Sequence, residues 1–225
     1  MKNIGIPESC DPCQEMVSRA FDECMLEDGS INFAKSAPRI DLCINGMFLN
    51  YAAYFQPKEK RLERLINFIL TAAKSDGGYS WDLLSSKSDP HTTICILEGF
   101  QSFIETGSPY RHQDIETVKR EAIEYLLSNT MFMQDDQRYL KLSFPYRYRY
   151  DVLRVLEYFA NAQTPYDIRM KPAIDWLKSK QKEDGCWYLE HVHKGNTHFE
   201  MEVKGKSSRF ITLKALFVLN WQKGI

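Results

Sequence analysis

The chain has 225 residues, of which 44% are hydrophobic and 26% charged, and its formal net charge is −1. This balance is typical of a globular protein with one core, and the small net charge gives no bulk attraction to nucleic acid or to an anionic membrane. No apolar run approaches the ~20 residues of a membrane helix, and the start MKNIGIPESCDPC lacks an apolar signal core. We therefore predict one cytoplasmic domain over residues 1–225 that binds no nucleic acid and spans no membrane.

Helical periodicity runs through the chain. In RLERLINFILTAA (61–73) and EAIEYLLSNTMF (121–132), apolar residues recur at i, i+3, i+4 and i+7 against charged ones. No stretch shows the alternation of a strand, so the predicted fold class is all-α. The predicted helices cover residues 8–26, 40–54, 58–75, 91–105, 113–130, 149–162, 168–182 and 208–222.

An Asp-rich turn separates the two helices of each of four similar units. The turns are EDGSINF at 27–33, SDGGYSW at 75–81, QDDQRYL at 134–140 and EDGCWYL at 183–189. The second helices are the more apolar, and Gly46, Gly99 and Ala215 should let them approach neighbours closely. Such a repeat of about 50–60 residues predicts stacked helical hairpins, with amphipathic outer helices alternating with buried inner ones. The inner helices align on Leu49, Leu97, Leu156 and Leu216.

The Q-x-x-DG-x-W-type turns QKEDGCW (181–187) and SDGGYSW (75–81) resemble those of squalene and oxidosqualene cyclases and of protein prenyltransferase β subunits. The segments LCINGMFLNYA, HTTICILEG, SFPYRYRYDVLR and KSSRFITLKALFVL resemble small bacterial squalene cyclase-like proteins. The resemblance implies an α/α toroid around a central apolar cavity. Eight helices are fewer than the twelve of a full toroid, so the expected ring is either open or closed by a partner, which would be a second copy or a partner subunit.

In such a ring the starts of the inner helices meet at one end of the cavity. The residues six before the aligned leucines are Cys43, His91, Tyr150 and Phe210. Just ahead of these stand Asp41, Asp89, Arg149 and Arg209. Thiol, imidazole, carboxylate and guanidinium groups should therefore lie together at one end of the central cavity.

Asp41, Cys43 and His91 are candidate zinc ligands, because catalytic zinc sites use these residue types and keep one position open. Prenyltransferase β subunits hold zinc through an Asp-x-Cys and a later His, so the resemblance assigns these three residues to a zinc site. The alternative is that Asp41 and Asp89 are N-caps and that the thiol and imidazole pack in the core.

Arg147, Arg149 and Tyr150, in FPYRYRYD, and Arg209, in KSSRF, are candidate anion-binding residues. Guanidinium groups at helix N-termini make a good anion pocket, and prenyltransferases hold a diphosphate beside their zinc. The alternative is that Arg149 or Arg154 pairs with Asp151 or Glu157 on the helix surface.

Two further segments leave alternatives open. Residues 190–208 show no helical period and are predicted to form a solvated flap. Their histidines and acids could instead supply a metal ligand or an acid or base: His191, His193, His198, Glu190 and Glu200. Cys10 and Cys13 form an isolated C-x-x-C, interpreted as packed thiols at a helix start, with a metal or redox pair as the alternative.

The predicted function is an enzyme that handles an isoprenoid or another apolar substrate in the central cavity. Zinc-assisted prenyl transfer has more of its residue types present than terpene cyclisation, because the chain has no DxDD motif and Asp135-Asp136 is interpreted as a solvated turn. The alternative is a non-catalytic toroid-like module that binds a lipid or a protein.

Overall fold

The computed structural model describes residues 2–34, 39–193 and 199–224. Over these ranges the chain is helical, with isolated β-bridges and no strand, which confirms the all-α prediction. It divides into two compact units, Met1–Tyr125 and Leu126–Ile225, and a single domain over both stays a prediction. No helix in the described ranges is both long and apolar enough to cross a membrane.

Eight α-helices in the described part of the chain match the eight predicted ones to within a few residues. The third ends early, at Thr71, because the Lys74 N–H bonds to the Gly78 carbonyl in the turn that follows. The α-helices are α1 Asp11–Cys24, α2 Leu42–Phe55, α3 Arg61–Thr71, α4 Pro90–Glu105, α5 His112–Ser128, α6 Val152–Asn161, α7 Lys171–Ser179 and α8 Arg209–Lys223. Short 3-10 helices cover Lys2–Ile4, Thr130–Phe132, Gln137–Leu140 and Ile168–Met170.

The helices predicted as inner ones begin at side-chain N-caps. Asp41 accepts hydrogen bonds from two backbone N–H groups at the start of α2. Asp89 and Ser208 each accept one at the starts of α4 and α8. These bonds satisfy N–H groups that have no partner within the helix. The N-cap alternative for Asp41 and Asp89 is therefore confirmed.

Asp151 is the N-cap of α6, where it accepts a hydrogen bond from the N–H three residues on, at 2.9 Å. Counting two residues from each cap, Leu153 and not Tyr150 is equivalent to Cys43. The leucine alignment was wrong by three residues in this unit, because Leu156 lies nearer to its helix start than the other aligned leucines do.

In the first unit, α2 and α4 pack closely through two glycines. A Cβ added to Gly46 would lie 2.8 Å from the backbone of Cys95, and one added to Gly99 would lie 2.7 Å from the Gly46 carbonyl oxygen. Farther along, the Ser102 hydroxyl donates to Asn50 Oδ1 at 2.7 Å. Because these contacts advance in the same direction along both helices, α2 and α4 run parallel. The close approach predicted at Gly46 and Gly99 is confirmed.

Three of the four Asp-rich turns share one geometry. The aspartate accepts a hydrogen bond from the N–H two residues on, and the glycine between them takes a left-handed conformation that other residues adopt at a cost. QDDQRYL differs, because Asp136 caps the 3-10 helix Gln137–Leu140 instead. The glycines are Gly29 (φ +89°), Gly77 (φ +88°) and Gly185 (φ +78°).

The residue that follows each glycine-containing turn is hydrogen-bonded to the next inner helix. Its backbone N–H donates to a side-chain oxygen of that helix, in the pairs Ile31 with Asn45 (2.7 Å), Tyr79 with Thr93 (3.0 Å) and Trp187 with Thr212 (3.0 Å). Trp187 is fully buried, and its indole N–H donates to the Leu177 carbonyl of α7 at 2.7 Å. The QKEDGCW turn therefore connects α7 to α8 through the hydrogen bonds of Trp187.

Candidate functional site

The predicted zinc residue Asp41 lies at the start of α2, with its carboxylate engaged as an N-cap. Its Oδ1 accepts hydrogen bonds from the N–H groups of Cys43 at 2.9 Å and Ile44 at 3.3 Å. Burial raises the pKa of Asp41, these N–H groups lower it, and the charge of Asp89 raises it further. The cap of α2 and the cap of α4 are thus electrostatic neighbours, as parallel inner helices predict.

The Cys43 sulfur does not face a set of metal ligands. Its Sγ lies 3.4 Å from Sγ of Cys95, one helical turn farther along α4 than His91. No group of three or more His, Cys, Asp and Glu side chains in the described ranges is placed to hold a metal ion. Asp41, Cys43 and His91 therefore do not form a ready zinc site as they are placed, and zinc binding stays a prediction.

The second unit contains a cavity of about 650 Å³ beside the segment that precedes α6. Arg147, His193 and Lys204 line it together with the carboxylates of Glu200 and Glu202. Arg147 has a backbone φ of +53°, a conformation uncommon outside glycine that concentrates at functional sites. The lining of the cavity combines these charged and polar side chains with a larger set of apolar ones. The apolar residues of the wall are Phe144, Pro145, Val192, Phe199, Met201 and Val203.

His193 is the most unusual residue of this cavity. Its side chain is buried, at 9% exposure, and neither ring nitrogen has a hydrogen-bond partner among the described residues. Buried polar atoms almost always have a partner, so an exception calls for an explanation such as a ligand or water. Burial lowers the pKa of His193 to about 4, and the charges of Arg149 and His191 act in the same direction, against a weaker opposing effect of the nearby Tyr146 backbone, which makes no hydrogen bond of normal geometry to the ring.

Arg149 supplies positive charge to the same place. Its guanidinium forms no ion pair with a described carboxylate, and it lies over the ring of Tyr148 at 5.8 Å. Burial lowers the pKa of His191, and the charges of Arg149 and Lys204 lower it further. The lowered pKa values of both histidines show that a further positive charge is unfavourable here, next to Arg149 and Lys204.

The acidic residues proposed as alternative partners of the arginines are engaged elsewhere. Glu157 forms an ion pair with Lys214 and accepts a hydrogen bond from the Tyr146 hydroxyl at 3.1 Å. Asp151 is buried and accepts from the Ser143 hydroxyl at 2.7 Å, and burial raises its pKa to about 7. Arg149 therefore pairs with neither acid, whereas Arg154 lies close enough to Asp151 for its charge to lower the pKa of that carboxyl.

Tyr150 belongs to the core of this unit. It is 2% exposed, and its hydroxyl donates to the backbone carbonyl of Met131 at 2.6 Å. Its ring also contacts those of Phe132 and Tyr139 edge to face. These contacts give Tyr150 a packing role, and direct anion binding by its hydroxyl stays a prediction.

Arg209 lies at the first position of α8, where an anionic group is already bound. The Glu202 carboxylate accepts a hydrogen bond from the Arg209 N–H at 2.8 Å and another from the Ser208 hydroxyl. This is the arrangement expected of an anion at a helix N-terminus. The chain's own Glu202 therefore occupies the start of α8, and binding of a separate anion by Arg209 stays a prediction.

The segment predicted as a solvated flap is in part anchored. Glu190 forms an ion pair with Lys180 at 2.8 Å and accepts a hydrogen bond from the Leu142 N–H at 3.0 Å, so it has a structural role. His198 lies outside the described residues. The periodicity of the chain gave no sign that His193 would be buried, because the cause is a bridge between the distant segments around Ser143 and His191.

The Cys10–Cys13 pair lies at the start of α1. Cys13 is buried, and both burial and a hydrogen bond with Cys10 raise its pKa. A raised pKa disfavours the thiolate that metal binding and redox chemistry need. The interpretation of packed thiols at a helix start is the one these contacts support.

No protein-family model matches this chain, and no curated protein matches it.

Proposed function

We propose that the chain binds an amphiphilic anion, a molecule with an apolar chain and a phosphate or diphosphate head, in the cavity of the second unit. The observation that carries this proposal is the buried His193 ring, which lines the cavity without a hydrogen-bond partner in the described residues. Arg147 and Arg149 would supply charge to the head group, and His193 would donate a hydrogen bond to it.

The dimensions and the wall of the cavity support a ligand of this class. Small-molecule sites usually have volumes of about 300–1,000 Å³ and apolar walls with a few convergent polar groups. At about 650 Å³ this cavity lies inside that range, and its apolar residues suit a hydrocarbon chain. The ligand to test first is an isoprenoid diphosphate, because of the resemblance to squalene cyclases and prenyltransferase β subunits. Membership of that superfamily, with its toroid of helices, is part of the same proposal.

We assign binding to this site and no reaction step. The resemblance would make prenyl transfer or terpene cyclisation the reaction class. However, the Asp41 carboxylate is engaged as an N-cap and the Cys43 sulfur contacts Cys95. An enzyme of this class would need a catalytic set other than Asp41, Cys43 and His91 as they are now placed.

A ligand series tests the proposal. A ligand that binds only the folded chain raises its melting temperature by mass action. A long-chain isoprenoid diphosphate should raise it more than either the corresponding alcohol or inorganic diphosphate does at equal concentration, because only the diphosphate ester fills both the apolar and the cationic parts of the cavity. Equal shifts for the ester and the alcohol would contradict a cationic head-group site.

The alternative function, a non-catalytic module with a protein partner, has one observation in its favour. On α8, Leu213, Leu216 and Phe217 are 68%, 49% and 40% exposed and lie on one side of the helix. Apolar surface of this kind often marks an interaction site. A second copy is the partner to test, because a net charge of −1 leaves little repulsion between copies. Sedimentation of the chain and of Leu213→Lys over a range of concentrations would show such pairing or exclude it.

A further inference from the structure

Two thiols from different helices touch in the first unit. Cys43, near the start of α2, and Cys95, in α4, are 52 positions apart in the sequence, and their Sγ atoms are 3.4 Å apart. Both side chains are buried, with exposures of 4% and 0%. The two thiols are in the reduced form.

The packing of the helices places these two sulfur atoms in direct contact. Gly46 lets the backbone of α2 approach Cys95 so closely that even a methyl group would not fit between them. A disulfide needs β-carbons about 3.5–4.5 Å apart and sulfurs about 2.0 Å apart. The sulfurs, now 3.4 Å apart, therefore have to approach by about 1.4 Å for the bond to form.

We propose that Cys43 and Cys95 form an oxidation site that closes to an intramolecular disulfide between α2 and α4, with a peroxide as the oxidant. The sulfur of Cys43, the more exposed of the two, attacks one peroxide oxygen. The S–O bond forms as the O–O bond breaks, and the departing oxygen leaves as water. The Cys95 sulfur then attacks the sulfenic acid, so that the S–S bond forms and a second water leaves. Two thiols are oxidised and one hydrogen peroxide is reduced to two waters.

The other cysteines serve as internal controls. Cys10 and Cys13 form a second close pair, but it lies within one turn of α1 and would join no separate helices. Cys24 and Cys186 have no neighbouring thiol among the described residues. The proposal depends on no ligand, so its outcome is independent of the anion site in the second unit.

Peptide mapping of the full chain tests the proposal. Protein treated with hydrogen peroxide and then alkylated should yield a peptide that links Cys43 to Cys95 and is two hydrogens lighter than its reduced parts. The double variant Cys10→Ser/Cys13→Ser should give the same link, and Cys95→Ala should give none.

The link should also raise the melting temperature by about 5 °C or more, because it closes a long loop of the unfolded chain, and dithiothreitol should reverse the rise. The proposal is overturned if the wild-type map shows no Cys43–Cys95 peptide, if only Cys10–Cys13 links form, or if Cys43 is oxidised to the sulfinic acid without linking. The wild-type map decides the question even if Cys95→Ala does not fold.

Discussion

The rings of His191 and His193 meet edge to face, with centroids 5.1 Å apart. Burial lowers the pKa values of both histidines, and the nearby charge of Arg149 lowers them further. Of the two rings, that of His193 lines the cavity, and an anion bound there would favour its protonated form.

The first prediction concerns the pH dependence of stability. His193 has a folded-state pKa of about 4 against 6.5 when unperturbed, so between these values the unfolded chain binds a proton that the folded chain does not. The free energy of unfolding should therefore decrease as the pH is lowered below about 6.5. This histidine should account for a loss of about 1–3 kcal/mol in that free energy by about pH 4. NMR titration of the ring should give the low pKa directly.

His193→Gln should remove this part of the slope, whereas His112→Gln, at an exposed position of the first unit, should leave it in place. Comparing the two variants separates the contribution of His193 from that of Asp151. The raised pKa of Asp151 makes the free energy of unfolding decrease as the pH rises between about 3.8 and 7. An ordinary titration of His193 near pH 6.5 would contradict the buried, unpartnered ring.

The second prediction concerns the carboxylate at the start of α8. Glu202→Gln keeps the size of the side chain but removes the charge that faces the helix N-terminus. We expect a loss of about 0.5–2 kcal/mol in the free energy of unfolding, as for other capping groups. Glu200→Gln, two residues away on the same exposed segment, should change it by less than about 0.5 kcal/mol. Equal effects in denaturant melts would mean that Glu202 does not bind the helix start.

The third prediction concerns the α2–α4 contact. Gly46→Ala would place a methyl group 2.7–2.8 Å from atoms of Ile96 and Cys95, so the helices must separate. A cost of about 1–3 kcal/mol is typical of such overpacking. Gly224→Ala is the matched control, because its methyl group meets atoms only at 3.6–3.8 Å. A Gly46→Ala protein as stable as the wild type would show that α2 and α4 do not pack this closely.

The fourth prediction concerns the tie between a turn and an inner helix. Thr93→Val removes the hydroxyl that accepts the Tyr79 N–H at 3.0 Å and leaves that buried donor unpaired. The cost should be about 1–3 kcal/mol. Thr117→Val, which removes an exposed hydroxyl of α5, should cost little, and urea melts of the two variants would separate these cases.

The sequence predicted the helices and their caps because these depend on local patterns. Periodicity places the helices, and Asp41 and Asp89 stand where N-caps stand. It could not predict that the thiols of Cys43 and Cys95 would be in contact. Repeat spacing equates positions in neighbouring helices, but the axial shift between those helices is set by side-chain volumes, here by Gly46 and its close approach to α4.

The proposed anion site shows the same difference between local and long-range features. The place of Arg149 before a helix made it a candidate, but the burial of His193 accompanies a bridge between segments about 50 residues apart. The occupation of the α8 N-terminus by Glu202 likewise depends on the path of a segment without helical period. We predicted that all four inner-helix starts lie at one end of a central cavity. This grouping involves both units and stays a prediction.

Calorimetric titration with a long-chain isoprenoid diphosphate shows whether Arg149 and His193 contribute to a site for the head group of an amphiphilic anion. The wild-type chain is compared with Arg149→Gln and with Arg138→Gln, an exposed arginine paired with Asp136. One ligand should bind per chain. Arg149→Gln should weaken binding at least about tenfold, because hydrogen bonds to charged groups contribute about 1.5–3 kcal/mol, and Arg138→Gln should have no effect. No binding to the wild-type chain, or equal binding to all three proteins, would contradict the claim.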